Sequence, residues 1–223
     1  TKVSSDELAT DPKNFIANLK QKLQTENYDL FFISQVFFDS GLVITTDDLI
    51  ELTKAAPLHT LICIDGYHAF AAIPVDLSAL EGRIFYLGGG YKYAQAGEGM
   101  CFMIIPKGEW RPINTGWFAE MESLSSAKNN QVSYAPNGGA FLGSTQDPSG
   151  FYRFNAVWDL FEAENITVEK IHAYVTVLQD LFLSKVSSTS LSKYKLLNDQ
   201  KNRGHFLTFD LKSTKNCAAF SEA

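Results

Sequence analysis

Three short apolar runs constrain this chain more than any other feature: YDLFFISQVFF from Tyr28, HTLICID ending at Asp65, and GRIFYLG ending at Gly88. Each is rich in β-branched or aromatic residues and shows no helical period. Such runs read as strands buried in a parallel sheet. Between the first two lies TTDDLIELTKAA, which has a hydroxyl at Thr45 or Thr46 to cap a helix. Acids at Asp47 and Asp48 suit its first turn, and Leu49, Ile50 and Leu52 supply its apolar side. Strand, helix and strand in that order make a right-handed crossover of a parallel sheet. GMCFMIIP, Gly99 to Pro106, adds a fourth strand beyond a short glycine loop. The expected class is α/β, a mostly parallel sheet with helices on both faces.

The flanking segments follow the same logic. Phe15, Ile16, Leu19 and Leu23 fall at helical intervals, so Pro12 to Gln24 reads as a helix opened near Asp11. From Pro106 to about Gly150 periodicity is lost while aromatics persist, the mark of long functional loops. Phe154, Val157, Trp158 and Phe161 then line one helical face as core, and Asn165 closes that helix. Thr167 opens a longer helix with Val168, Ile171, Val175, Leu178 and Phe182 on its stripe. A polar segment, Ser184 to Asn202, leads to an alternating strand, GHFLTFDL, and to the start of a helix in TKNCAAFSEA. Two domains are expected: 1–183, including the long helix that leaves it, and 184–223, a linker with the beginning of a second. No internal repeat is visible.

Composition narrows the function. Hydrophobic residues make up 45% and charged ones 20% of 223 residues, the balance of a soluble globular chain. A net charge of -6 gives no electrostatic reason to expect nucleic acid or an anionic membrane as partner. No apolar run is long enough to span a bilayer, and the first residues lack a secretion signal. Cys63, Cys101 and Cys217 are odd in number and without metal-ligand spacing, so reduced, buried thiols of a cytoplasmic protein are expected, with no metal. His59, His172 and His205 likewise lack ligand spacing and read as structural or exposed. The chain opens on Thr1, which suits processing or truncation.

The chemistry centres on FYLGGGYKYAQAGEGM, where Lys92 stands among five glycines. A mobile linker, a phosphate loop or the seat of a reactive amine would all use such a stretch. The phosphate loop is disfavoured, because GGGYKY lacks the Gly-Lys-Ser/Thr ending. Asp65 ends one strand, His68 follows three residues later, and Lys92 follows the next strand. Open parallel sheets bind ligands at the carboxyl ends of their strands, so an acid and an amine meet on one rim. That pair suits pyridoxal phosphate: an amine for its aldehyde and a carboxylate for its pyridinium nitrogen. Plainer readings stand beside this one. Asp65 also fits as a cap for the following turn, His68 as a structural histidine, Trp117 as core, and Thr145 as a turn end.

DGYHAFAAIPVDL, GGYKYAQAGEG, RPINTGWF and FLGSTQDPSGF, in this order, resemble the class V aminotransferase superfamily, whose nearest likeness here is kynureninase. The resemblance implies a pyridoxal 5'-phosphate enzyme of the aspartate aminotransferase-like fold. It makes Lys92 the Schiff-base lysine and Asp65 the partner of the pyridine nitrogen. His68 would lie beside the cofactor ring, and Tyr91 would hydrogen-bond near the phosphate. Trp117 and Thr145 would reach the phosphate from the neighbouring subunit of a homodimer. The implied partner is a small-molecule amino-acid substrate, and the implied reaction is hydrolysis of kynurenine to anthranilate and alanine. Another class V aminotransferase or a cysteine desulfurase is the alternative, the latter disfavoured by the position of Cys217. A non-catalytic dimerisation or binding module that keeps the fold is a third. Gly90 stands where the family usually carries a hydroxyl residue, and Ala119 and Glu120 stand where a histidine often follows. Family members are longer, so the chain is expected to be an incomplete large domain with the start of a small α+β C-terminal domain.

Overall fold

The structure is a computed structural model that describes residues 3–4, 6–125, 132–186, 189–198, 203–213 and 217. Its first helix, α1 (Pro12–Thr25), begins where Pro12 can sit without an amide hydrogen, and the Asp11 side chain accepts a hydrogen bond from the Asn14 amide. It buries Phe15, Leu19 and Leu23. Helix α2 (Thr46–Ala55) is capped by Thr45, whose Oγ1 accepts from the Asp48 amide at 3.1 Å, and it buries Leu49 and Leu52. The two helices pack side by side against one four-stranded sheet.

The sheet runs in the order β1 (Leu30–Ser34), β2 (Leu61–Asp65), β3 (Phe85–Gly89) and β4 (Cys101–Ile104). The first three strands are parallel and β4 is antiparallel to β3. This register places Ser34 beside Asp65 and Asp65 beside Leu87, so the carboxyl ends of three strands share one rim. The core beneath is made by Leu49, Leu52, Ile62, Ile64, Leu80 and Tyr86.

Between β4 and residue 149 the described chain is irregular apart from 3₁₀ segments at Trp117–Ser123, kinked at Glu120, and Gly138–Phe141. Helix α3 (Ser149–Ala163) then packs Phe154 and Trp158 against Phe70. Asn165, with φ of 52°, ends it in the left-handed region. Helix α4 (Val168–Val186) follows, with Thr167 Oγ1 accepting from the Lys170 amide. A two-stranded ribbon of β5 (Lys195–Leu196) and β6 (Phe209–Asp210) completes the described chain.

Four expectations are corrected. β1 is not buried on both faces: Leu30 and Phe32 are 55% and 54% exposed, because β1 is the edge strand and these alternate residues share its uncovered side. The apolar stripe of α4 does not all face inward. Leu178 and Phe182 are exposed while Gln179 is buried, since the polar chain around Gly204 lies against that helix and Gln179 Nε2 donates to the Gly204 carbonyl at 3.0 Å. The strand read from GHFLTFDL shrinks to Phe209–Asp210, because Gly204 and Phe206 are drawn instead to the carbonyl of Gly41 and the Asn198 side chain. Cys101 and Cys217 are exposed rather than buried, and none of the three cysteines is joined in a disulfide. The helix read from TKNCAAFSEA lies outside the described residues except at Cys217.

Candidate active site

The rim is built from two turns. After β2 the chain folds into a tight turn in which Ala69 and Phe70 donate to the Gly66 carbonyl. Asp65 secures both sides of that junction: Oδ1 accepts from the Tyr67 amide at 3.0 Å and Oδ2 from Ser34 Oγ at 2.9 Å. The cap expected of Asp65 is present, and a hydroxyl from the neighbouring strand end fixes its second oxygen. Only glycine fits at Gly66, where a Cβ would lie 2.1 Å from the Tyr86 hydroxyl.

The second turn carries the lysine. Gly90 donates to the Met100 carbonyl and accepts from the Ala96 amide, both at 2.8 Å, while Gln95 donates to the Lys92 carbonyl. Arg153 of α3 clasps the far side through the carbonyls of Ala96 and Glu98. The turn leads into β4 and not into a helix, so the chain here has no helix N-terminus to cradle a phosphate in the manner of a nucleotide loop. Nor is it a loose linker.

Lys92 Nζ lies 2.8 Å from His68 Nε2 and 3.5 Å from Nδ1. The aromatic rings of Tyr67 and Tyr91 flank it at 5.9 and 5.7 Å. Burial, followed by the charge of Lys92, pushes the His68 imidazole below its ordinary value, with Asp65 opposing. A neutral imidazole is the form that accepts a hydrogen bond from an ammonium. The ring of His68 is held among Phe38, Phe206 and Tyr93, with centroids 5.6, 5.7 and 6.5 Å away. Beside it, the Cys101 thiol and partial burial raise the Tyr67 phenol, which stays protonated. An amine in contact with a neutral imidazole, and a carboxylate fixed on the adjacent strand end, form a donor set that fits pyridoxal phosphate.

Comparison with known proteins decides the family. Residues 6–220 match the family described as Aminotransferase class-V. The chain belongs to that family. It is a family of pyridoxal phosphate enzymes. Isopenicillin N epimerase from Streptomyces clavuligerus is 31% identical over 117 residues, a match spanning 51% of this chain and 28% of the relative. Among solved structures, a NifS-like protein superposes with a TM-score of 0.60 at 14% identity, over 87% of this chain and 47% of that one. The ureidoglycine-glyoxylate aminotransferase of Bacillus subtilis gives 0.58 at 14% identity, over 86% and 46%. A pyridoxal phosphate-bound C-S lyase from Staphylococcus hominis gives 0.54 at 13% identity, over 85% and 43%. The chain therefore spans less than half the length of these class V and related structures, which share its α/β fold.

Of the site residues expected from sequence, Asp65, His68, Tyr91 and Lys92 meet on the rim. Trp117 and Thr145 do not join them; they lie on two neighbouring segments of the chain beyond β4. The Phe118 amide donates to the Gly143 carbonyl at 3.0 Å, and a Cβ on Gly116 would lie 2.4 Å from the Gly143 carbonyl carbon. Trp117 is 44% exposed and packs on Phe118, and Thr145 is exposed. The hydroxyl residue usual for the family before Tyr91 has no room here. A Cβ at Gly90 would approach the Phe154 ring to 2.9 Å. Sequence reasoning missed Ser34, Tyr67, Cys101 and Arg153. Ser34 had a signal, since it closes the strand beside that of Asp65; Arg153 had none, because nothing local marks a side chain reaching back to residues 96–98.

Proposed function

We propose that this chain carries the lysine side of a pyridoxal phosphate site and that the protein acts at the α-carbon of an amino acid. The observation that carries the reading is Lys92 Nζ at 2.8 Å from His68 Nε2, on the rim where Asp65 is fixed. Lys92 would hold the cofactor through its amine, Asp65 would face the ring nitrogen, and Tyr91 would lie toward the phosphate. Trp117 and Thr145, both exposed, would serve a phosphate held in a neighbouring subunit of a homodimer. When bound, the cofactor supplies a cationic ring that withdraws electrons from the substrate's α-carbon. Lys92 Nζ takes the α-proton, and His68 Nε2, kept neutral, receives a hydrogen bond from that nitrogen and steadies it.

Within this class the motif likeness favours hydrolysis of kynurenine to anthranilate and alanine. A second reading, inversion at the α-carbon, is favoured by the 31% identity to an epimerase. Both begin with the same proton removal. Borohydride reduction of the protein with pyridoxal phosphate, followed by peptide mass mapping, should label Lys92 alone. Labelling spread over other lysines, or none at all, would leave a binding module that keeps the fold. With Lys92 labelled, anthranilate release from kynurenine supports hydrolysis, whereas solvent deuterium entering an intact amino acid supports inversion.

A further inference from the structure

A late segment, residues 203–206, reaches the residues around the lysine and is tightly tied where it does so. Arg203 forms an isolated bridge with Leu42, and its Nη2 donates to Asp180 Oδ1 of α4 at 2.8 Å. Gly204 donates to the Gly41 carbonyl at 2.8 Å, and its own carbonyl accepts from Gln179 Nε2 at 3.0 Å. The approach is so close that a Cβ on Gly204 would lie 2.8 Å from Val36 Cγ1. Asn198, wholly buried, donates from Nδ2 to the Phe206 carbonyl at 2.8 Å. The segment is thus fastened to the loop after β1, to α4 and to Asn198.

Two successive side chains of this segment meet the site. His205 stands edge-on to Tyr93, with centroids 5.3 Å apart, and Phe206 stands edge-on to His68 at 5.7 Å. Phe206 and Tyr93 also pack on a small buried cluster of Val36, Ala69, Ala72 and Ile73, most of which lies just past His68 in the chain. Ala71, among them, has φ of 59°, a left-handed conformation that a non-glycine residue keeps only where its surroundings hold it. The turn bearing His68 is therefore shaped by packing from the late segment as well as by its own hydrogen bonds. An ammonium has no acceptor, so His68 Nε2, 2.8 Å from Lys92 Nζ, must be the bare nitrogen of a neutral ring whose proton sits on Nδ1.

We propose that Phe206 is a positioning residue for the lysine: its ring stops the imidazole of His68 from turning away and so keeps Nε2 facing Lys92 Nζ. Phe38 also touches His68, at 5.6 Å, but a ring 79% exposed is itself little restrained. For the reaction this role rests on Lys92 being the cofactor's lysine; the contact with His68 does not.

The test uses the intact chain with isotope-labelled histidine, of which the sequence holds four. The ring nitrogen shifts of His68 report which nitrogen carries the proton, at a pH where the ring is neutral. The wild type is expected to show a several-fold excess of the Nδ1–H form, and Lys92→Met to abolish it. Phe206→Ala is expected to abolish it too, with Lys92 intact, whereas Phe206→Tyr and Phe38→Ala keep it. His59, at the opposite end of β2 and 2.6 Å from Asn27 Oδ1, reports by unchanged shifts that the fold survives. The proposal is overturned if the wild type shows no excess, if the excess persists in Phe206→Ala, if Phe206→Tyr loses it, or if Phe38→Ala loses it equally. Should Phe206→Ala fail to fold, Phe206→Val decides by the same criterion. Borohydride labelling with pyridoxal phosphate keeps the two claims apart. No label on wild-type Lys92 refutes the cofactor role and leaves the histidine result standing. A labelled Lys92, with the excess kept in Phe206→Ala, refutes the positioning role alone.

Discussion

Gly90 shows how one missing side chain reshapes a site. The family's usual hydroxyl residue would place a Cβ 2.9 Å from the Phe154 ring, and that ring is held in turn by Phe70 and Trp158. The ring has little freedom to move aside. Gly90→Ser should therefore destabilise the protein by about 1–3 kcal/mol, read from urea midpoints. In Phe154→Ala the same serine should be tolerated better, giving a coupling of roughly 0.5–3 kcal/mol in a double-mutant cycle. Simple additivity would mean that the two positions do not compete for space. Gly66 is stricter still, because the hydroxyl it faces belongs to Tyr86, which donates to Gln35 in the core.

At the scale of elements, much is legible in residue type alone. The cap at Thr45, the three parallel strands and the breaks around Asn165 and Thr167 follow from residue type and spacing within short windows. Thr45→Ala should cost about 0.5–2 kcal/mol of stability, measured by thermal or chemical unfolding. Leu52→Ala, at a wholly buried position, should cost about 2–5 kcal/mol. The failures share a cause. Leu178 and Phe182 satisfy helical periodicity, yet the face of α4 that turns inward is chosen by a distant polar segment carrying Gly204. The alternation in GHFLTFDL is equally local, and it loses to backbone partners near Gly41. At the rim, Asp65, His68 and Lys92 were readable because strand ends mark them. The contact between Lys92 and His68, and the pairing of His172 with His205, depend on separations of 24 and 33 residues that no periodicity encodes.

For the molecule as a whole, the histidine pair links the late part of the chain to the acid response of the fold. Burial, and then His172, depress His205 from an ordinary 6.5 to about 4. A histidine held neutral in the folded state takes up its proton on unfolding between those values, so its stabilising contribution is full above 6.5 and is lost as pH falls toward 4. Urea midpoints should drop across that window, and His205→Gln should flatten the drop; an unchanged slope would place the acid sensitivity elsewhere. The same late region reaches into the lysine turn. Arg153 grips the carbonyls of residues 96 and 98, Phe154 fills the space beneath Gly90, and Gly150 abuts Gly99. A ribosome makes the amine long before it makes this wedge. During synthesis Lys92 stands on an unshaped tether, and the turn that presents it takes its form only after α3 has emerged and closed against it.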